Sequence, residues 1–297
     1  MPKLTVLIPT YNSGIYITAA IKSTLNQSFK DYELLIIDDG SNDDSEEIIW
    51  KIKDSRIRYI KNYTNVGIVK SLNYGIGLAE GEYIARMDAD DIMLGDRLSK
   101  QVKFLDNNCE YGIVGGWYQV TNANGVIVDS IETLTSATEV KLGLLFRNQF
   151  AHSAVTMRRS MVRDLLYKEE YMFSEDYDLW CRMIINYKGL NLPYYYLSYR
   201  WYEGNSCFKN QRTLKQNIFK ILSRELNKYK IIHSVDELIV HGALCFNYGK
   251  RYFNTIEKRG QLDNWLTKIF SSELVRAEFN KKDVENFNIQ LLKTCLK

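Results

Sequence analysis

Two runs near the start of the chain, Leu4-Thr5-Val6-Leu7-Ile8-Pro9 and Tyr32-Glu33-Leu34-Leu35-Ile36-Ile37-Asp38, constrain the fold most. Successive side chains of a strand point to opposite faces, so a half-exposed strand alternates apolar and polar residues. These runs barely alternate. They read as strands covered on both faces, the situation of strands in a parallel sheet. Helical spacing follows each one. Ile17, Ile21 and Leu25 predict a helix over residues 15–26, and Asp43 to Ile52 predicts a second, with Asn42 or Asp43 as N-cap. A third strand is expected over 56–60, a third helix over 68–79 ended by Gly81, and a fourth strand over 83–87. Strand–helix alternation implies an α/β fold with a mostly parallel central sheet and right-handed crossovers.

Ligands of such sheets sit beyond the carboxyl ends of the strands. Three polar clusters fall there: Pro9-Thr10-Tyr11-Asn12, Asp38-Asp39-Gly40-Ser41 and Asp88-Ala89-Asp90-Asp91. The last places three carboxylates within four residues, which repel one another unless a cation sits among them. Hard divalent ions take oxygen ligands, and Mg²⁺ or Mn²⁺ commonly bridges carboxylates to substrate phosphates. The middle of the chain is less regular. Helices are expected over 97–105, 140–146 and 175–187, and strands over 112–120, 126–131, 153–157 and 194–201. Beyond residue 209 the pattern is helical throughout.

With 297 residues, 45% hydrophobic and 25% charged, the chain can bury a normal core as one large domain or two small ones. Its first residues lack the pattern of a signal peptide, and no apolar run is long enough to cross a bilayer, so a cytoplasmic protein is expected. The five cysteines form no CxxC pair, which suggests neither a disulfide framework nor a zinc site. Net charge is +3, unevenly spread: residues 1–208 hold 22 Lys/Arg and 27 Asp/Glu, residues 209–297 hold 17 and 9. A solvated helical face is the simpler account of the basic region; a surface for anionic lipid or nucleic acid is the other.

The segments VLIPTYN (6–12), IIDDGSND (36–43), Asn65-Val66-Gly67, AEGEYIARMDADD (79–91) and SEDYDLW (174–180) occur in this order. The ordered set resembles the family 2 glycosyltransferases with the GT-A fold, a Rossmann-like sheet here followed by a helical C-terminal region. The resemblance covers about residues 3–205. It implies an inverting enzyme that moves a hexosyl or N-acetylhexosaminyl group from a UDP-sugar to an acceptor hydroxyl, with Mn²⁺ or Mg²⁺ as cofactor. The acceptor expected is a saccharide or lipid-linked saccharide of bacterial surface-polysaccharide biosynthesis, with no nucleic-acid partner. The expected division is a catalytic domain at 1–208 (nucleotide-sugar half about 1–110, acceptor half about 111–208) and a basic helical region at 209–297. The latter offers peripheral contact with the inner face of the cell membrane.

Pro9, Thr10, Tyr11 and Asn12 close the first strand where backbone can approach a flat base. Asp39 can accept from a base N–H, and the resemblance places it on the uracil. The same segment also reads as a turn and helix cap, with Asp38 supporting the loop. Lys70 and Arg86 either neutralise a diphosphate or pair with carboxylates. By resemblance Asp88, Ala89 and Asp90 form the DxD motif that holds ribose and metal–diphosphate, with Asp90 the direct metal ligand beside Asp88, and Asp91 capping the turn or meeting the sugar. Also by resemblance, Asp176 is the base that deprotonates the acceptor, with Glu175 beside it. Asp178, about 200° further round a helix, points elsewhere. His152 and Trp180 are acceptor-side candidates, although a lone His is more often structural and Trp180 reads first as core packing. One departure stands out. A histidine that often follows a Tyr-Arg pair in relatives is replaced here by Tyr202, a poor ligand for a hard cation, leaving Glu203 as a substitute or Asp90 with diphosphate and water.

Other classes fit less well. A sugar-nucleotide nucleotidyltransferase needs a basic Gly-rich loop after the first strand, and Pro9 to Gly14 has no basic residue. A dehydrogenase needs GxGxxG there. A non-catalytic nucleotide-binding protein would not need Asp39, Asp88, Asp90 and Asp176 together.

Overall fold

The computed structural model describes residues 1–245 and 249–296. Its first half alternates as expected: β1 (Leu4–Thr10), α1 (Gly14–Leu25), β2 (Tyr32–Asp38), α2 (Ser45–Lys51), β3 (Ile57–Lys61), α3 (Ile68–Leu78) and β4 (Tyr83–Arg86). Then come β5 (Ile92–Met93), α4 (Arg97–Asn107), β6 (Tyr111–Thr121), β7 (Ile127–Ile131), α5 (Ala137–Gly143), β8 (Thr156–Arg158), α6 (Arg159–Leu165), α7 (Glu175–Met183) and β9 (Lys188–Arg200). Among the described residues, nine strands join one sheet in the order β3-β2-β1-β4-β8-β6-β9-β5, with β7 beside β6. β3, β2, β1 and β4 are mutually parallel, as are β6 and β9, while β8, β7 and β5 pair antiparallel. Most of the ladder is therefore parallel.

The lack of alternation in β1 and β2 now has its cause. Leu7, Leu35 and Ile37 point to one face and pack with Val69, Leu72 and Ile76 of α3. Leu4, Val6, Ile8, Leu34 and Ile36 point to the other and pack with Ile17, Ala20 and Ile21 of α1 and Leu98, Val102 and Leu105 of α4. Both faces are dry, so both need apolar residues. The chain leaves β1 towards β2 and β3, then returns to place β4 on the other side of β1. In sheets with such a reversal, ligands bind beyond the carboxyl ends of the strands that flank it, here β1 and β4.

Several local expectations change. Ser153 lies in a 3₁₀ turn (His152–Ala154), and β8 begins at Thr156, because the Ser153 hydroxyl is engaged with Asp88. β9 begins at Lys188, six residues before the expected start, and α7 ends at Met183. The ladder with β6 overrides local propensity there, and Gly189 is needed because a Cβ would meet Ile184 and Ile113 at 2.6 and 2.7 Å. Asp44 is the N-cap position of α2, while Asp43 accepts instead from the Gly14 and Ser45 N–H groups, each at 3.0 Å. Gly81 does not cap α3; it lets the chain pass against β1, where a Cβ would lie 2.4 Å from the Thr5 nitrogen.

After β9 the chain is helical: α8 (Ser206–Lys209), α9 (Gln211–Lys228), α10 (Val235–Cys245), α11 (Gly249–Tyr252), α12 (Ile256–Ser271), α13 (Glu273–Glu278) and α14 (Lys281–Leu296). These helices share a core with α5 and the turn after it: Leu142, Leu145 and Phe146 pack with Leu226, Trp265, Ile269 and Phe287. Cys109, Cys181 and Cys207 are free thiols; the side chain of Cys295 lies outside the described residues. Among the described residues no helix is long and apolar enough to cross a membrane.

Candidate active site

Three strand ends and one helix start build the site. At the end of β1, Pro9 and Thr10 are buried and Tyr11 is exposed. Asn12 takes a left-handed conformation (φ 49°), which Asn tolerates better than most residues. It ties this loop to the next: its N–H donates to the Ser41 hydroxyl at 2.9 Å, and its side-chain oxygen accepts from the Asn42 N–H at 2.8 Å.

At the end of β2 the two aspartates divide their work. Asp38 accepts from the Ser41 N–H at 2.8 Å and the Tyr59 hydroxyl at 2.6 Å, which is loop support. Asp39 is only 4% exposed. Its carboxylate accepts from the Val66 N–H at 3.0 Å, the Gly67 N–H at 2.8 Å and the Asn62 amide at 2.9 Å. It thus pins Asn65-Val66-Gly67 at the start of α3. Gly40, at φ 78°, passes so close to Thr64 that a Cβ would sit 2.8 Å from its carbonyl carbon. Lys70 is exposed on α3 and pairs with Glu169 at 3.5 Å.

Beyond β4 stands the acidic run. Arg86 is buried and forms an ion pair with Asp88. Ser153 joins them: its oxygen accepts from Arg86 and from the Asp88 N–H, and its hydroxyl donates to Asp88 Oδ2, each at 2.8 Å. Arg86 is thus a buried partner of the acidic run. Ala89 is buried between the acids. Asp91 is fully buried; one oxygen accepts from the Arg200 N–H at 2.9 Å and the other has no partner. Asp90 receives the Asn205 amide at 3.3 Å and the Tyr202 hydroxyl. Oxygen atoms of Asp88, Asp90 and Asp91 lie within 4.8 Å of one another. Burial first, then the Asp88 charge, pushes Asp90 up to about 6 and Asp91 well above the usual carboxylate range. Such a crowded, oxygen-only set, with one oxygen unpartnered, fits a hard divalent cation.

Glu175 and Asp176 begin α7. Asp176 accepts from the Asn148 amide at 2.8 Å and from its neighbour Tyr177 N–H at 2.7 Å. Burial raises it to about 6. Glu175 is 7% exposed, one of its oxygens has no partner, and burial together with the Asp176 charge raises it to about 7. Asp178 points away, as expected, into ion pairs with Arg182 and Arg224. Trp180 is fully buried against Phe150, His152 and Tyr167, which is core packing. His152 meets the Tyr167 hydroxyl at 2.8 Å, and burial drives it well below its usual range, so its imidazole is neutral.

Residues 5–167 match the family described as Glycosyl transferase family 2. The chain belongs to that family. A glycosyltransferase of Methanocaldococcus jannaschii is 35% identical over 205 residues, covering 67% of this chain and 71% of its own. An Escherichia coli protein, WfaP, is 30% identical over 260 residues, covering 84% and 98%; it is described as a UDP-Glc:α-D-GlcNAc-diphosphoundecaprenol β-1,3-glucosyltransferase. Among solved structures, Staphylococcus aureus TarS residues 1–349 with UDP-GlcNAc align at a TM-score of 0.62 with 20% identity, over 99% of this chain and 89% of that one. The mannosyltransferase PcManGT of Pyrobaculum calidifontis, with GDP-Man and Mn²⁺, aligns at 0.59 with 13% identity, over 98% and 87%. This protein is therefore a glycosyltransferase with a GT-A fold.

In this family 2 chain several site residues lay outside the sequence motifs. Ser153 and Asn148 sit in an irregular segment, and nothing local marks them. Arg97 looks like an ordinary helix cation, yet it is fully buried and donates to the carbonyls of Arg86 and Val155 at 2.9 and 2.7 Å. Glu203 is exposed; Tyr202 and Asn205 are the groups that reach Asp90.

Proposed function

We propose that this enzyme transfers a hexosyl or N-acetylhexosaminyl group from a UDP-sugar to a hydroxyl of a saccharide or lipid-linked saccharide, with inversion. The observation that carries this reading is Asp176: a carboxylate at the start of α7, set in place by Asn148 and raised to about 6 by burial. A base of that strength is ionised at neutral pH and still basic enough to take a proton in the transition state. The acceptor oxygen attacks the anomeric carbon, the bond from that carbon to the diphosphate oxygen breaks, and the acceptor proton passes to Asp176. Pro9 to Asn12 and Asp39 flank the uridine. Asp88 and Ala89 meet the ribose and diphosphate, while Glu175, His152 and Asp91 border the acceptor side. Asp90, with Asp88, would hold Mn²⁺ or Mg²⁺, and the cation would neutralise charge on the departing diphosphate. WfaP's UDP-Glc donor and lipid-diphosphate acceptor support this substrate class, and we place the reaction at the inner face of the cell membrane, with the basic region 209–297 against the lipid surface.

A thermal-shift screen of UDP-glucose, UDP-galactose and their N-acetyl forms, with and without Mn²⁺, tests the donor. One donor at a hundredfold excess over its Kd should add about 2.7 kcal/mol of stability; no stabilisation by any of them would sink the UDP-sugar reading. Asp176→Asn should lower transfer about a hundredfold or more, and unchanged transfer would remove Asp176 as the base. Charge-reversing Lys281 and Lys282 should reduce pelleting with anionic vesicles if region 209–297 meets lipid.

A further inference from the structure

We propose that Asn148 is the positioning residue of the catalytic base: its amide fixes the rotamer of Asp176 and stabilises the ionised carboxylate before the acceptor arrives. The inference rests on the reading of Asp176 as base.

An amide side chain is ordinarily ambiguous, because its oxygen and nitrogen can exchange places. Asn148 is not. Its Oδ1 accepts from the Phe150 N–H at 3.1 Å, which only an oxygen can do. Its Nδ2 therefore faces Asp176 Oδ2, at 2.8 Å, as a donor. The other carboxylate oxygen is engaged by the Tyr177 N–H. With one donor on each oxygen, the carboxylate plane is set by two independent elements, α7 and the turn after α5.

That turn is itself held from two sides. The Tyr177 hydroxyl donates to the Leu144 carbonyl at 2.6 Å, and the His241 ring nitrogen Nε2 donates to the Leu145 carbonyl at 2.7 Å. The orientation of His241 is fixed in turn, since its Nδ1 accepts from the Trp265 indole N–H at 3.0 Å. Asn148 thus stands on a rigid segment, as a group that must hold a catalytic carboxylate to a fraction of an ångström should.

The charged and titratable groups around Asp176 are Glu175 on the same helix, Arg86 at the end of β4 and Asp88 just beyond it, Tyr167 before α7, and Cys207 on α8. Arg86 favours the ionised form and Asp88 opposes it. Asn148 adds a neutral donor that, like Arg86, favours the ionised form.

Two variants separate this role from a merely structural one. Asn148→Asp is isosteric and keeps an oxygen for the Phe150 N–H, yet turns the donor towards Asp176 into an acceptor. Asn148→Ala removes both bonds. Carboxyl ¹³C titration of aspartate-labelled protein, assigned by difference from Asp176→Asn, needs no substrate. The Asp176 titration should move up by about one pH unit in Asn148→Ala and further in Asn148→Asp. Turnover of UDP-glucose with an alkyl-diphosphate-linked N-acetylglucosamine should show its acidic limb moving by the same amount, with kcat about tenfold to a hundredfold lower and donor KM within twofold. A titration that stays in place in both variants overturns the proposal, even if kcat falls. If Asp176→Asn transfers as well as the parent, the base reading fails, whatever Asn148 does.

Discussion

At the residue scale the site is a set of carboxylates whose surroundings differ. Asp39 accepts from three N–H donors that close the loop at the start of α3. Removing it orphans those donors, so Asp39→Ala should cost about 2–4 kcal/mol in urea denaturation as well as weakening UDP binding. Glu175 is the opposite case, a buried acid with an unpartnered oxygen and a value raised to about 7. A folded-state value above the unfolded one means that the folded protein binds the proton more tightly. The stability it contributes is full below about pH 4.5 and is lost as pH rises through 7. Glu175→Gln should therefore raise the melting temperature relative to the parent at pH 8 and leave it little changed at pH 4.5, a difference of up to about 3 kcal/mol. Asp176, raised to about 6, predicts transfer that falls tenfold per pH unit below that value; a flat profile down to pH 5 would remove it from the proton-transfer step.

Among elements, the join between β4, β8 and α4 holds the acidic run in place. Arg97 is a buried guanidinium on α4 whose donors meet the Arg86, Ser153 and Val155 carbonyls, and burial lowers it to about 9. Gln101, one turn on, reaches the Ala154 carbonyl at 2.8 Å and accepts from Thr156 at 2.7 Å. Together they donate to backbone oxygens at the mixed β4–β8–β6 junction; the Val155 carbonyl also accepts from the Arg86 N–H at 3.0 Å. Arg97→Met keeps the volume and deletes every donor, and should destabilise by about 3–5 kcal/mol, read by chemical denaturation. The sequence shows Arg97 and Gln101 at ordinary helical spacing; apart from Arg86, the partners named here, Ser153, Ala154, Val155 and Thr156, lie more than fifty residues away, so nothing local distinguishes the two from solvated side chains. The boundaries of β1 to β4, by contrast, were legible to within about a residue, because burial on both faces writes itself into a short run of apolar residues.

For the whole molecule, the C-terminal helices and the turn behind Asn148 share one core. Phe146 packs against the rings of His241, Phe270 and Phe287 at 5.0, 5.9 and 5.2 Å. Phe146→Ala should cost about 3–5 kcal/mol. A chain ended at residue 208 would expose Leu142, Leu145 and Phe146 together, and should aggregate on expression rather than give a soluble monomer; a monodisperse, active product would refute that dependence. The sequence by itself determined the parallel α/β sheet, the three polar clusters at its strand ends and the presence of the Asp88–Asp91 run, because periodicity and acidic motifs are local properties of the chain. Only the tertiary structure decided that Arg86 neutralises Asp88 while Ser153 hydrogen-bonds to it, that Tyr202 and Asn205 meet Asp90, and that Asn148 faces Asp176. Those pairings depend on where distant segments stop in space, and the energy of packing both faces of the sheet, not any local preference, fixes those positions.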